Sequence, residues 1–141
     1  MANSHVTSQW SCVECAGSCA SAQRALASVP NSGWGGRYVN RYNGKEVLIK
    51  ELYVKSKGIL SLQKHHHRAE HWVVTHGKPK ITLNKKYFTM RTDETIFIPL
   101  VALHRIENPY KKPVKIIEAQ VGSILKETDI VRYQDVYGRV K

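Results

Sequence analysis

From Trp34 to the C-terminus, apolar and β-branched residues recur in short runs separated by turn residues. Within the runs apolar and polar positions alternate, the period of a strand with one face buried, and few stretches repeat at the helical spacing. The pattern predicts strands near residues 37–41, 46–54, 59–65, 70–75, 79–83, 87–90, 95–98, 103–107 and 114–121. KITLNKKYFTM reads as a hairpin with Asn84 opening its turn. Only the tail KETDIVRYQDVYGR admits a short turn of helix. Many short strands with regular turns favour a sandwich or small barrel, because both hide unpaired strand edges. The expectation is an all-β barrel of eight to ten strands whose mouth is able to hold a ligand.

The alternation is missing before residue 33. MANSHVTSQWSCVECAGSCASAQRALASVPNS is rich in Ser, Ala and Cys, so residues 1–32 are expected to be a flexible extension that need not be native, and residues 33–141 the domain. A chain of 141 residues is one domain by length and buries roughly two thirds of its unfolded surface without disulfides. Cys12, Cys15 and Cys19 form a C-x-x-C-x-x-x-C array with no fourth ligand following, and free thiols are the simpler reading. The formal charge of +11 favours anionic partners. The basic residues are spread from Arg24 to Lys141 with no recognition helix or zinc-finger spacing, so nucleic acid is not expected and most lysines solvate outer faces. No run approaches the ~20 apolar residues of a membrane span, nor does the N-terminus resemble a secretion signal. The expectation is a soluble cytoplasmic protein with no membrane partner.

Candidate chemistry gathers in SLQKHHHRAEHW. Side chains alternate along a strand, so Gln63 and His65 share one face while Leu62 and Lys64 take the other. After a tight connection through His66 to Ala69, Glu70 opens the run EHWVVTHG and can return to the same interior, and His104 follows on a further strand in PLVALHRIEN. Gln63, His65, Glu70 and His104 together offer two imidazoles, a carboxylate and an amide oxygen. Such a mixed set suits zinc, iron, nickel or manganese with positions left open. His66 and His67 stay undecided between solvent and the barrel mouth. His71 and His76 read as ordinary strand or turn residues, and Trp72, Phe97 and Ile98 as core.

The spacing of Gln63, His65, Glu70 and Gly77 resembles the first motif of the cupins, and the stretch from Pro99 through His104 to Asn108 resembles their second. More narrowly, SLQKHHHRAEHWVV, FIPLVALHRIENP and DIVRYQDVYGR, in this order, resemble the C-terminal cupin domain of type II mannose-6-phosphate isomerases, usually fused behind a mannose-1-phosphate guanylyltransferase. The resemblance covers about residues 33–141. It implies a double-stranded β-helix, or jelly roll, and metal-dependent interconversion of mannose 6-phosphate and fructose 6-phosphate, feeding GDP-mannose and polysaccharide precursor synthesis. It makes Gln63, His65, Glu70 and His104 ligands of a divalent metal, zinc first, with cobalt, manganese or nickel as alternatives. Arg139, in the terminal YGR, would complete the active site. Lys64, His67 and Glu107 are the candidates for moving the proton, and Arg68 and Arg105, with Arg139, for gripping the sugar phosphate. The glycine-rich nucleotide loop of the guanylyltransferase half has no counterpart in this sequence.

Departures from the family pattern fall at Ser56 and Lys57, where Pro-Gly is usual, at Val101, where Gly is usual, and at Lys64, which replaces an apolar residue. Val101 implies strain in the loop before His104, because a β-branched residue resists positive φ. These departures motivate a rival reading, a non-catalytic cupin that binds a sugar phosphate or a metal. Small cupins also host dioxygenases and epimerases, although Gln among the ligands argues against a redox iron site. Exposed edge strands imply a homodimer.

Overall fold

A computed structural model describes residues 35–136 and 138. The expected extension 1–32, its three cysteines and Arg139 lie outside the described residues.

Among the described residues, ten strands form two five-stranded antiparallel sheets. In the first, β1 (Gly36–Asn43), β2 (Val47–Val54), β9 (Val114–Gly122), β4 (Arg68–His76) and β7 (Thr95–Ile98) lie side by side. In the second the order is β10 (Ile130–Gln134), β3 (Leu62–His65), β8 (His104–Glu107), β5 (Lys80–Leu83) and β6 (Lys86–Thr89). From β2 onward most connections carry the chain from one sheet to the other, so the two inner faces are built together. The β5–β6 hairpin turns at Asn84, φ 53°, a conformation Asn tolerates better than most residues.

Three details depart from expectation. β3 begins at Leu62 rather than near residue 59, with Ile59 held by an isolated bridge to Glu107. The tail contains a single 3-10 turn, Glu127–Asp129, and then a tenth strand that pairs with β3 through Ile130↔His65, Val131↔Lys64 and Arg132↔Gln63. Most of β10 is exposed, so it shows no apolar alternation, and only the ladder with β3 makes it a strand. Phe97 is not core: alternation buries Ile98 and turns Phe97 outward, where its ring lies 4.8 Å from that of His71.

The inner face changes character along the strands. On β2 the buried positions run Val54, Leu52, Lys50 and Leu48; on β9, Val114, Ile116, Glu118, Gln120; on β4, Val74, Trp72, Glu70, Arg68. Register aligns these series, pairing Val54 with Val114, Leu52 with Ile116, Lys50 with Glu118, and Glu70 with Gln120. One end of the barrel is therefore a dry core of Leu52, Val54, Trp72, Val74, Ile81, Met90, Ile98, Ile106, Val114 and Ile116, where each buried aliphatic side chain contributes roughly 1.5–3 kcal/mol. The other end is lined by buried polar groups, the observation that calls for explanation.

Both positions where glycine is usual in the family adopt the left-handed conformation, Lys57 at φ 58° and Val101 at φ 57°. The Val101 amide donates to the carbonyl of His65 at 2.8 Å, which holds the loop in place, and its side chain is exposed. Left-handed backbone costs an L-residue roughly 1–2 kcal/mol, partly offset in glycine by greater unfolded-state freedom. Val101→Gly is therefore expected to stabilise the protein by about 0.5–1 kcal/mol and to raise the midpoint of thermal unfolding by about 3 °C, read by differential scanning calorimetry.

Candidate metal centre

Three buried side chains meet at the polar end. β3 delivers His65 at its last position, β4 delivers Glu70 just after the His66–His67 turn, and β8 delivers His104 at its first position. Gln63 is the cross-strand partner of His104. His65 Nε2 lies 3.0 Å from Glu70 Oε1, and His104 Nε2 lies 3.6 Å from Glu70 Oε2. One ligand atom from each of the three falls within 4.8 Å of the others.

The outward nitrogens decide what the inward ones carry. His65 Nδ1 faces the carbonyl of Asp129 at 3.3 Å and His104 Nδ1 that of Ala102 at 2.9 Å. A carbonyl only accepts, so each Nδ1 holds the hydrogen and each Nε2 presents its lone pair inward. Neither Nε2 has a hydrogen-bond partner among the described residues. Two lone pairs thus converge on a carboxylate with no donor between them, and a cation is what this donor set fits.

Glu70 is kept ionised by its surroundings. Burial works to raise its pKa, but positive charge at His65, His104 and Arg68, which a bound cation would replace at the two histidines, outweighs it and brings the carboxyl down to about 2. Trp72 Nε1 donates to Oε2 at 3.0 Å, Gln120 Nε2 donates to Oε1 at 3.2 Å, and the Arg68 Nε sits 3.6 Å away. For His104 the pKa is lowered, chiefly by burial, which favours the neutral, ligating imidazole.

The surrounding shell is ordered by Asp129. Its carboxylate accepts from the amides of His66 and His67 at 3.2 and 3.1 Å and from His67 Nδ1 at 2.7 Å. Its pKa is lowered: burial opposes the shift, and the hydrogen bonds from His67 and His66 and the charge of Arg68 overcome it. Gly122 packs against this turn, and a Cβ there would meet the His67 carbonyl at 2.1 Å.

A cavity of about 60 Å³ opens beside the cluster, lined by Gln63, Arg68, His104 and Arg105 and by Lys50, Glu118, Glu127 and Arg132. Of the residues expected to act on substrate, Arg68 and Arg105 are brought to it. Lys64, His67 and Glu107 do not line it. Lys64 lies over the Tyr133 ring, half-exposed His67 is paired with Asp129, and Glu107 is paired with Lys80 and Arg105.

Lys50, Glu118, Gln120, Asp129 and Arg132 were not singled out from the sequence. For three of them a signal exists: Lys50 in VLIKELYV, and Glu118 and Gln120 in VKIIEAQVG, stand in the inward phase of otherwise apolar alternations. Asp129 and Arg132 give no local signal. Glu118 is 5 % exposed, and burial, followed by the charge of Glu70, pushes its pKa up to about 8.

A two-sheet antiparallel barrel with a His-Glu-His cluster inside one end is a cupin, the double-stranded β-helix class. The cupin domain of Cnp3 from Schizosaccharomyces pombe superposes with a TM-score of 0.58 at 16% identity, covering 62% of this chain and 61% of that one. Residues 24–135 match the family model for the C-terminal domain of mannose-6-phosphate isomerase, and the chain belongs to that family. It is 46% identical over 105 residues to the mannose-1-phosphate guanylyltransferase ManC of Salmonella typhimurium, covering 74% of this chain and 22% of ManC. It is 43% identical over 104 residues to the alginate biosynthesis protein AlgA of Pseudomonas fluorescens, with the same coverages of 74% and 22%. The chain thus spans about a fifth of the length of these relatives.

In metal-stripped protein, Glu118 sets a stability limb. Its folded pKa of about 8 lies above the ordinary 4.5, so its contribution is fully present below pH 4.5 and is lost as pH rises through 8. Between those values the wild type is expected to lose stability relative to Glu118→Gln as pH rises, the His104 contribution of opposite sign being common to both proteins, measured by thermal melts across that range. Equal slopes in the two proteins would contradict the assignment.

Proposed function

We propose that this chain is a metal-dependent aldose–ketose isomerase domain that interconverts mannose 6-phosphate and fructose 6-phosphate and supplies GDP-mannose and polysaccharide precursors. The observation that carries the reading is the pair of unpartnered Nε2 atoms facing an ionised, buried carboxylate at a cavity edged with cations, in a chain of this family. His65, Glu70 and His104, with Gln63 beside them, would hold a divalent cation, zinc first. Bound there, a cation supplies Lewis-acid polarisation of the sugar oxygens.

The chain's own residues do the rest. Arg68 and Arg105 place positive charge on the cavity wall, where guanidinium groups suit phosphate oxygens. Arg139 belongs to the same proposal as a residue of the terminal YGR. Glu127 spans the mouth, bonded to Lys50 at 3.1 Å and 3.6 Å from Arg132. Because a cavity of about 60 Å³ holds only water-sized groups, a sugar phosphate enters by displacing Glu127 from these two cations. A cytoplasmic setting belongs to the same proposal, as does the homodimer expected from exposed strand edges. A monodisperse monomer in sedimentation would remove the dimer.

The rival reading is a cupin that binds metal or sugar phosphate without turning it over, and the small cavity favours its metal-binding form. The full chain loaded with stoichiometric zinc or cobalt is expected to interconvert the two hexose phosphates. His104→Ala and Gln63→Ala are expected to weaken metal retention by at least about 10-fold, read by elemental analysis after dialysis. Calorimetric binding of fructose 6-phosphate without turnover selects the rival reading. Metal content unchanged in both variants, with no turnover, rejects the metal isomerase.

A further inference from the structure

Isomerisation needs a group that lifts a proton from one carbon and returns it to the next, and the cavity wall carries two carboxylates among the described residues. Glu127 is half-exposed and engaged with Lys50 and Arg132. Glu118 is different in kind. It is 5 % exposed, stands opposite Lys50 in the β2–β9 register, and makes no ion pair among the described residues. Keeping such a carboxyl in a nearly dry wall is costly, and a leucine would satisfy the alternation of β9.

Its position relative to the candidate ligands is set by one side chain. Gln120 Nε2 donates to Glu118 Oε1 at 2.6 Å and to Glu70 Oε1 at 3.2 Å. One amide therefore separates Glu118 from the ligand carboxylate; it engages Oε1, and Glu118 lines the cavity. We infer that Glu118 is the acid–base residue of the isomerisation, carrying the proton between C2 and C1 of the open-chain sugar. The inference rests on the isomerase reading and adds to it a residue outside the metal set.

The step balances. In its carboxylate form Glu118 takes the hydrogen of C2; the C2–H pair becomes the C1–C2 double bond, and the C1 carbonyl π pair moves onto O1, which gains a proton. In the second half the O2–H bond breaks as C2–O2 becomes the carbonyl, and the double-bond pair takes the proton from Glu118 to form the new C1–H bond. The proton gained by O1 equals the one lost by O2, so the aldose has become a ketose and Glu118 is again a carboxylate.

The test uses the full chain as wild type and Glu118→Gln, loaded with the same metal. Glu118→Gln is expected to keep its metal and to bind fructose 6-phosphate within about threefold, while kcat falls at least about 100-fold. Deuterium from heavy water, entering C1 or C2 during wild-type turnover, is expected to be absent from sugar incubated with the variant. A variant that turns over within a few-fold of an active wild type overturns the inference and leaves the isomerase reading standing. A wild type with no turnover overturns that reading and this inference with it. Should Glu118→Gln lose metal or fold, Glu118→Asp decides: kcat lowered at least about 10-fold at unchanged metal content supports the role, and unchanged kcat overturns it.

Discussion

One buried carboxylate, Glu70, governs the polar end of this barrel. An ionised group at 1 % exposure is tolerated only if its surroundings replace the water it has lost. Part of the replacement comes from Trp72 and Gln120, which donate hydrogen bonds, and from the Arg68 guanidinium beside it; on the remaining side His65 and His104 complete a donor set that a cation fits. These groups come from β3, β4, β8 and β9, so strands from both sheets hold their register partly through a single charge. Removing any one partner leaves the others around an undercompensated anion, which is why the neighbourhood behaves as a unit.

The same constraint explains why the barrel is divided along its axis. Aliphatic packing at one end needs water excluded, and a polar cluster at the other needs its groups rigidly placed. The β9 and β4 ladders satisfy both by letting each inward series pass from aliphatic to charged and amide side chains over two or three inward positions, while β2 sets the single charge of Lys50 between Leu52 and Leu48. Trp72 stands at the boundary, its ring in the dry core and its Nε1 on Glu70. The Asp129 turn performs the matching task outside the strands. Its carboxylate ties down the histidine connection, while its main-chain carbonyl orients His65.

Much of this was legible. The strands from β1 to β9, the hairpin at Asn84, and the sharing of one face by Gln63 and His65 follow from alternation and turn chemistry. So does the strain expected at Val101, observed as positive φ. The eye-catching triplet of histidines contributes one member, His65, to the cluster, while His67 binds Asp129 instead. Alternation separates His65 from its neighbours but does not show what His67 meets, because Asp129 lies 62 positions away. β10 was hidden for a related reason: a mostly exposed strand carries no apolar rhythm.

By itself the sequence determined which residues can face inward, since the side-chain period of a strand is a local property of the backbone. It determined the family as well, through three blocks in order. Only the tertiary structure decided which inward residues share a site. Lys50, Glu118 and Gln120 were polar residues in apolar series until the pairing of β2 with β9 set Lys50 against Glu118 and the pairing of β9 with β4 set Gln120 against Glu70. The pairing of β3 with β8 then brought His104 within reach of His65. Register between strands distant in the chain is fixed by the packing of both sheets at once, and no local stretch contains it.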